Sequence, residues 1–136
     1  MLANVTTDVE TNLTNWTDVT IGLLDGTEFF LSPYPNATRV MYEQVCETDW
    51  TCNVDQYSFK AYLSRWLAQT SILVPSTAPW IRRRLRTSTA AAAQSCVGGG
   101  DGTTCGAHWY LKSWDSTSGV GQALSAMEVI YALLVR

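Results

Sequence analysis

The sequence has little positive charge and no long apolar run, and each shortage excludes a class of protein. Only 9 of its 136 residues are lysine or arginine, against 12 acids, so the net charge is -3. This balance gives no electrostatic basis for nucleic-acid binding. A run of about 20 apolar residues, the length that a membrane-spanning helix needs, is also absent. The one basic cluster is expected to spread around the outer face of a helix; its members are Arg82, Arg83, Arg84 and Arg86.

The N-terminal sequence MLANVTTDVETNLTNW lacks the basic and apolar regions of a secretory signal peptide. Other features nevertheless indicate export. Four N-glycosylation sequons fall within the first 38 residues, at Asn4, Asn12, Asn15 and Asn36. Cysteines that could form disulfides are typical of the same compartment. We therefore expect the chain to be part of a longer, secreted and glycosylated protein.

The four cysteines lie in two close groups, Cys46 with Cys52 and Cys96 with Cys105. Three disulfide connectivities are possible. We favour the two local pairs because each would close a short polar loop. Zinc is an alternative, since His108 follows Cys105 closely, but the C-x5-C and C-x8-C spacings differ from those of structural zinc sites. The sequence therefore predicts two local disulfides, with no metal and no cofactor.

Hydrophobic periodicity predicts an all-α protein, built from antiparallel helix pairs with short extended arms between them. Helices are expected in residues 15–31, 53–74, 77–96 and 118–136, the first of them capped by Asn15. The segments RVMYEQVC (39–46) and AHWYLKSW (107–114) are expected to be extended. These four helices have more apolar surface than they can cover for one another.

Apolar stripes identify the faces of the last three helices that we expect to be buried. The three stripes are Phe59, Tyr62, Leu63, Trp66, Leu67, Thr70 and Leu73; Ile81, Leu85, Ser88, Ala92 and Ser95; and Val120, Leu124, Met127, Tyr131 and Leu134. The first of these helices also carries small or apolar residues on its back, at Ala61, Ala68 and Ile72. Such a helix is usually sandwiched between two neighbours. Glu128 lies beside the last stripe, where a buried acid with a charged partner is one alternative and an exposed or edge position is the default expectation.

The segment CNVDQYSFK (52–60) allows two interpretations. Asn53 can cap the helix with Gln56 three residues later, in a variant of the capping box. Asp55 then lies in the first turn, where the helix dipole favours a carboxylate. Alternatively, Asp55, Gln56 and Lys60 face a ligand. The sequence alone favours the capping interpretation.

Three segments in chain order resemble blocks of fungal glycoside hydrolase family 76, the mannan endo-1,6-α-mannosidases. They are CETDWTCNVDQYSFKAYLSRWLAQT, LRTSTAAAAQSCVGGGDGTTCGAHW and DSTSGVGQALSAMEVI, and the resemblance covers residues 14–135. It implies an (α/α)6 barrel in which six inner helices surround an open glycan cleft. That fold needs about 350 residues or more. The chain, residues 1–136, is then a single partial domain: the last few helices of the barrel.

The resemblance also implies retaining hydrolysis of internal α-1,6-mannosidic bonds by two carboxylates. The family places them on neighbouring aspartates in its N-terminal half, and this sequence has no adjacent pair of acids. Its closest acids are two residues apart, at Asp8 with Glu10 and at Glu47 with Asp49, and neither pair is expected to have a pocket that separates the two pKa values. No catalytic residue is therefore assigned, and we expect the chain alone to be inactive.

The resemblance further implies that part of the cleft wall is present. Asp55, Gln56 and Lys60 are candidates for hydrogen bonds to mannose hydroxyls, and Trp50 or Trp109 for stacking on a sugar ring. The expected partners are mannan or mannose-containing glycans of the fungal cell wall and the N-terminal part of the barrel. The expected location is the secretory pathway, the cell surface or the wall. The alternative is a secreted, disulfide-bonded helical module that binds a glycan or a protein without catalysis.

Overall fold

The computed structural model describes residues 16–135. Within this range, every regular secondary-structure element longer than a single β-bridge is a helix. The α-helices are α1 (Trp16–Gly26), α2 (Phe59–Leu73), α3 (Ala78–Ser95) and α4 (Val120–Ala132). Short 3-10 helices cover Thr27–Phe30, Pro35–Ala37, Gln56–Ser58, Pro75–Thr77 and Trp109–Leu111. The all-α prediction is confirmed. Asn4, Asp8, Glu10, Asn12 and the proposed cap Asn15 lie outside the described residues.

None of the helices between residues 16 and 135 is both long enough and apolar enough to cross a membrane. The helices α2, α3 and α4 pack against one another and form the centre of the structure. The stripe predicted for α3 is confirmed: Ile81, Leu85, Ser88, Ala92 and Ser95 are each at most 1% exposed. Three of these five residues are small, so the neighbouring helices can approach α3 closely.

The helix α2 buries its small face instead of the stripe of large residues predicted to face the core. Ala61, Ser64, Leu67, Ala68 and Ser71 are buried, and only Leu67 belongs to the predicted stripe. Leu63 is half-buried and packs against the core, whereas Phe59, Tyr62, Trp66 and Leu73 are between 40% and 64% exposed. Small residues let helix axes approach, whereas bulky rings would hold them apart. The helix therefore has a second apolar face, as the sequence indicated.

The helix α4 repeats this arrangement. Its buried face consists mainly of small or polar residues, including Ser125, Ala126 and Ala132. The predicted stripe faces outward, with Val120, Met127, Tyr131 and Leu134 between 58% and 84% exposed. That part of the prediction is wrong for the same steric reason as in α2. Large apolar surface on two adjacent helices is unusual for a complete domain.

Two ion pairs place charged residues deeper than the sequence predicted. Arg84 is only 8% exposed, pairs with Glu28, and lies 3.4 Å from the centre of the Trp80 ring. The expected outer position is therefore wrong for Arg84, whereas Arg82, Arg83 and Arg86 are exposed. Glu128 is 8% exposed and pairs with Arg65 of α2, so its default assignment to an exposed or edge position is also wrong. Pairing explains how these charges are tolerated below the surface.

The two segments predicted to be extended behave differently. Residues 40–42 form a buried arm, whereas Arg39 is exposed in a turn. In the arm, Leu31 and Met41 make an antiparallel bridge and the Met41 N–H donates to Ser88 Oγ at 3.0 Å. Residues 43–50 turn back on themselves. The segment 107–114 is not an extended arm, because a 3-10 turn at Trp109–Leu111 interrupts it. The disulfides join Cys46 to Cys52 and Cys96 to Cys105, the local pairing favoured from the sequence.

Candidate functional site

The candidate residues lie at the end of the helix core where α2 and α4 begin. Two loops, residues 46–58 and 106–119, form this end, which we call the rim. The start of α4 rests on the first loop: a Cβ added at Gly121 would come within 2.8 Å of Tyr57 Cβ. Ser125 Oγ donates to the Tyr57 carbonyl oxygen at 2.8 Å. The glycine and the serine therefore hold the two loops in one fixed arrangement.

The capping interpretation of Asn53 and Gln56 is confirmed. The Asn53 N–H donates to Gln56 Oε1 at 2.8 Å, and the Gln56 N–H donates to Asn53 Oδ1 at 3.0 Å. These reciprocal bonds occupy the Gln56 side-chain oxygen, while its amide nitrogen remains a potential donor. Asp55 is exposed at the start of the same turn. Its carboxylate is therefore accessible to a ligand at the rim.

Lys60 lies inside the protein and its ammonium group is already occupied. The residue is 3% exposed, and its Nζ donates to Glu47 and to the Ala107 carbonyl oxygen. The same atom lies 4.5 Å from the centre of the Trp109 ring. A sugar hydroxyl could reach this ammonium only by displacing a buried ion pair. The structure therefore gives Lys60 a role in holding the first rim loop to α2.

Glu47 is more deeply buried than the sequence indicated, at 1% exposure. Burial raises the pKa of its carboxyl group, and the charge and hydrogen bond of Lys60 offset only part of this increase. The sequence did not predict this burial of Glu47 against Lys60. Its neighbour Asp49 is exposed, so the two acids do not share one enclosed site.

The two candidate tryptophans have opposite environments. Trp109 is 0% exposed and packs against Lys60, so its ring is not accessible to a sugar in this structure. Trp50 is 54% exposed and stacks on His108, with ring centres 3.9 Å apart and planes inclined by 26°. Its backbone adopts a left-handed conformation, with φ of 57°, inside the loop that the Cys46–Cys52 disulfide closes. One face of the indole is thus supported while much of the ring remains open.

His108 is held in place by Asp115, and the sequence did not predict this pair. Both side chains are 0% exposed and His108 Nδ1 pairs with Asp115 Oδ2. The same carboxylate oxygen accepts the backbone N–H groups of Ala107 at 3.0 Å and His108 at 2.8 Å. The other oxygen accepts from the Thr117 N–H at 2.9 Å and the Thr117 hydroxyl at 2.8 Å. Asp115 is therefore the hub of the second rim loop.

Hydrogen bonding explains why the carboxyl group of Asp115 is ionised. Burial alone would raise the pKa of Asp115, but bonds from the His108 side chain, the His108 backbone and Thr117 outweigh it and hold the pKa well below its ordinary value. The ionised carboxylate can only accept, so His108 Nδ1 must carry a proton. The D-S-T sequence at 115–117 is an Asx-turn signal that could have predicted the Thr117 contact. No comparable signal marks His108 as the support for Trp50.

The rim therefore has the chemistry of a binding surface. It offers an indole face at Trp50, a carboxylate at Asp55 and an amide at Gln56, all on loops fixed by a disulfide, a capping box and the Asp115 hub. Among the acids of residues 16–135, Glu47 and Asp49 are the closest in sequence. Glu47 is buried in an ion pair, whereas Asp49 lies at the surface. Such an arrangement can orient a sugar, and it does not bring these two acids into one enclosed site.

Comparison with known proteins identifies the family. The model of glycosyl hydrolase family 76 matches residues 1–136. The chain is 45% identical over 122 residues to mannan endo-1,6-alpha-mannosidase DCW1 of Candida albicans, covering 88% of this chain and 27% of that protein. It is 48% identical over 91 residues to the Saccharomyces cerevisiae protein of the same name, covering 67% of this chain and 20% of that protein.

A solved structure shows the same fold. The chain resembles Dfg5 from Chaetomium thermophilum, crystallised in complex with glucosamine, with a TM-score of 0.78 and 34% sequence identity. The likeness covers 88% of this chain and 30% of that one. The chain thus spans between a fifth and a third of the length of these relatives. Its helices form part of an α/α barrel, and the chain belongs to glycosyl hydrolase family 76.

Proposed function

We propose that residues 1–136 form a sector of a secreted mannan endo-1,6-α-mannosidase and contribute one wall of its glycan cleft. The reaction is retaining hydrolysis of internal α-1,6-mannosidic bonds in cell-wall mannan or related mannose-containing glycans. The nucleophile and the acid come from parts of the barrel outside this sector. The rim supplies the binding contacts: Trp50 stacks on a mannose ring, and Asp55 and Gln56 hydrogen-bond its hydroxyls.

The observation that carries this proposal is the combination of a supported, open Trp50 ring with outward apolar faces on α2 and α4. Indole rings offer a flat apolar surface to the C–H face of a sugar. The apolar faces fit further barrel helices, because four of the large residues on each face are at least 40% exposed. The disulfides fit a protein folded in an oxidising compartment. Together they favour a glycan-binding sector of a larger secreted enzyme.

A chimeric enzyme tests the proposal. The segment of the Candida albicans relative that aligns with this chain is replaced by residues 1–136, and the product is secreted from yeast. We expect this chimera to cleave α-1,6-linked mannose oligosaccharides, measured by chromatography of the released fragments. The 136-residue chain alone is expected to release none, because the proposed nucleophile and acid lie outside this sector.

The parent relative is the positive control. The proposal is wrong if the isolated chain cleaves the oligosaccharides, or if the parent is active and the secreted, monomeric chimera is not. Glycan binding by the isolated chain, combined with an inactive chimera, would instead support the non-catalytic binding module.

A further inference from the structure

The sequon at Asn36 is the one of the four that falls within the described residues, and it lies on the surface. Asn36 and Thr38 are exposed on a 3-10 turn at Pro35–Ala37, while Ala37 between them is 3% exposed and anchors the turn. The Ala37 N–H donates to the Tyr34 carbonyl oxygen at 2.9 Å. A glycan on the Asn36 amide would therefore leave from a well-fixed point of the backbone.

A groove of about 290 Å³ begins at this asparagine and runs beside α3. Its floor is apolar and includes Val40 and Ala91, which are 1% and 3% exposed. The edge of this groove is polar and includes Thr87, Gln94 and Lys112. An apolar floor with hydroxyl, amide and ammonium groups around it suits a monosaccharide, which has C–H faces and hydrogen-bonding edges.

The neighbouring surface of α3 faces water. Arg82, Arg83 and Arg86 are all exposed on this helix, and unpaired arginines of this kind are rarely buried. This charged face contrasts with the outward apolar faces of α2 and α4, which need cover. A glycan above α3 would therefore meet solvent rather than other helices of the barrel.

We propose that Asn36 carries an N-linked glycan whose first N-acetylglucosamine lies in this groove. In the modification, Asn36 Nδ2 forms a bond to C1 of the sugar and loses one proton, and a lipid-linked diphosphate leaves as the donor's other product. The sugar ring covers the α3 floor at Ala90 and Ala91, and its N-acetyl group lies within reach of Lys112. The glycan therefore projects from the side of the molecule where α3 faces solvent.

Lysine chemistry gives a local test, because the sequence contains only two lysines, Lys60 and Lys112. Lys112 is exposed and lines the groove, whereas Lys60 is 3% exposed and reports whether the fold is intact. The chimera described above is secreted from yeast and its glycopeptides are identified by mass spectrometry. The lysines of three forms of the chimera are then acetylated. In the first form, endoglycosidase H has trimmed the glycan to its first sugar; the second form is fully deglycosylated; the third carries Thr38→Ala, which abolishes the sequon.

We expect a glycan on Asn36, and several-fold slower acetylation of Lys112 in the trimmed form than in the other two. Lys60 should stay unlabelled in all three forms. An arginine placed in the groove by Ala90→Arg should restore fast Lys112 labelling while the glycan remains attached. Ala93→Arg, at another exposed position of α3, is the matched control and should leave Lys112 protected.

Two results would overturn the inference: an unmodified Asn36, or equal Lys112 labelling in the trimmed and sugar-free forms. Neither result depends on catalytic activity. The inference can therefore fail while the chimera cleaves mannan, and it can hold while the chimera is inactive.

Discussion

Replacing Asp115 by asparagine should loosen the second rim loop and, through His108, the support of Trp50. The change removes a negative charge from a side chain that accepts three backbone N–H groups, the Thr117 hydroxyl and His108 Nδ1. The asparagine oxygen can replace only one of the two carboxylate oxygens. If the asparagine oxygen faces His108, the asparagine NH2 group faces the Thr117 N–H. Both groups are donors, so the Thr117 N–H loses its acceptor.

The expected cost follows from these bonds. Hydrogen bonds to a charged group contribute about 1.5–3 kcal/mol, against about 0.5–1.5 kcal/mol for neutral pairs, and an unsatisfied buried donor costs about 1–3 kcal/mol. Three bonds that each lose about 1–1.5 kcal/mol and one orphaned N–H then reduce the local stability by roughly 4–7 kcal/mol. Because 1.36 kcal/mol is a factor of ten, amide exchange in the loop should accelerate about 10³- to 10⁵-fold.

Hydrogen exchange of the chimera, followed by mass spectrometry of peptides covering residues 104–118, measures this effect. Asp101→Asn is the matched control, because that exposed aspartate accepts a loop N–H from Thr103 at 3.1 Å and holds no buried partner. Thr117→Val is a milder variant that removes only the hydroxyl, and it should accelerate exchange about tenfold. Unchanged exchange in both Asp115→Asn and Thr117→Val would show that Asp115 is not the hub of the loop.

Three further experiments examine the same rim. Trp50→Ala in the chimera should raise KM for α-1,6-mannan about 3- to 10-fold with little change in kcat, as expected for loss of an aromatic contact; the control Val54→Ala changes a residue 80% exposed in the same loop and should leave KM unaltered. Lys60→Met should lower the free energy of unfolding of the chimera by about 3–5 kcal/mol in urea denaturation, because it strands buried Glu47; adding Glu47→Gln should recover part of the loss, and no recovery would contradict the ion-pair role. Acid should destabilise the second rim loop, because the pKa of Asp115 in the folded protein lies below its ordinary value of 3.8. The ionised Asp115 therefore stabilises the loop fully above pH 3.8, and this stabilisation is lost as the pH falls further. The exchange of residues 104–118, corrected for the intrinsic rate, should therefore rise below pH 3.8 in the original chimera and depend much less on pH in Asp115→Asn.

The features predicted correctly from the sequence depend on residues close together in the chain. The capping box joins Asn53 and Gln56 across one helical turn, and each disulfide closes a short loop. The buried face of α3 was identifiable from the helical spacing of its apolar and small residues. In all these cases, local spacing alone determines which groups can meet.

The features that the sequence did not predict depend on contacts between distant segments. The Trp50–His108 stack joins the two rim loops, and the bond from Lys60 to the Ala107 carbonyl joins α2 to the second of them. These groups come together only when α2 and α4 pack. The choice of buried face on α2 also needed the tertiary structure. Periodicity shows that both sides of that helix are non-polar, but only the neighbouring helices decide whether small or large residues turn inward.

The positions of the three central helices in the proposed barrel follow from what each one exposes. The exposed Arg82, Arg83 and Arg86 of α3 favour contact with water, so α3 fits the outer layer. The large residues on α2 and α4, such as Trp66 and Tyr131 at 64% and 62% exposed, require further apolar partners. Helices that need cover on two sides fit the inner layer. Since α2 and α4 both begin at the rim, our proposal has the loops of Trp50, Asp55 and His108 at the mouth of that inner layer. In that proposal, the side chain that supports the exposed Trp50 ring is fixed by the same helix packing that closes this sector of the barrel.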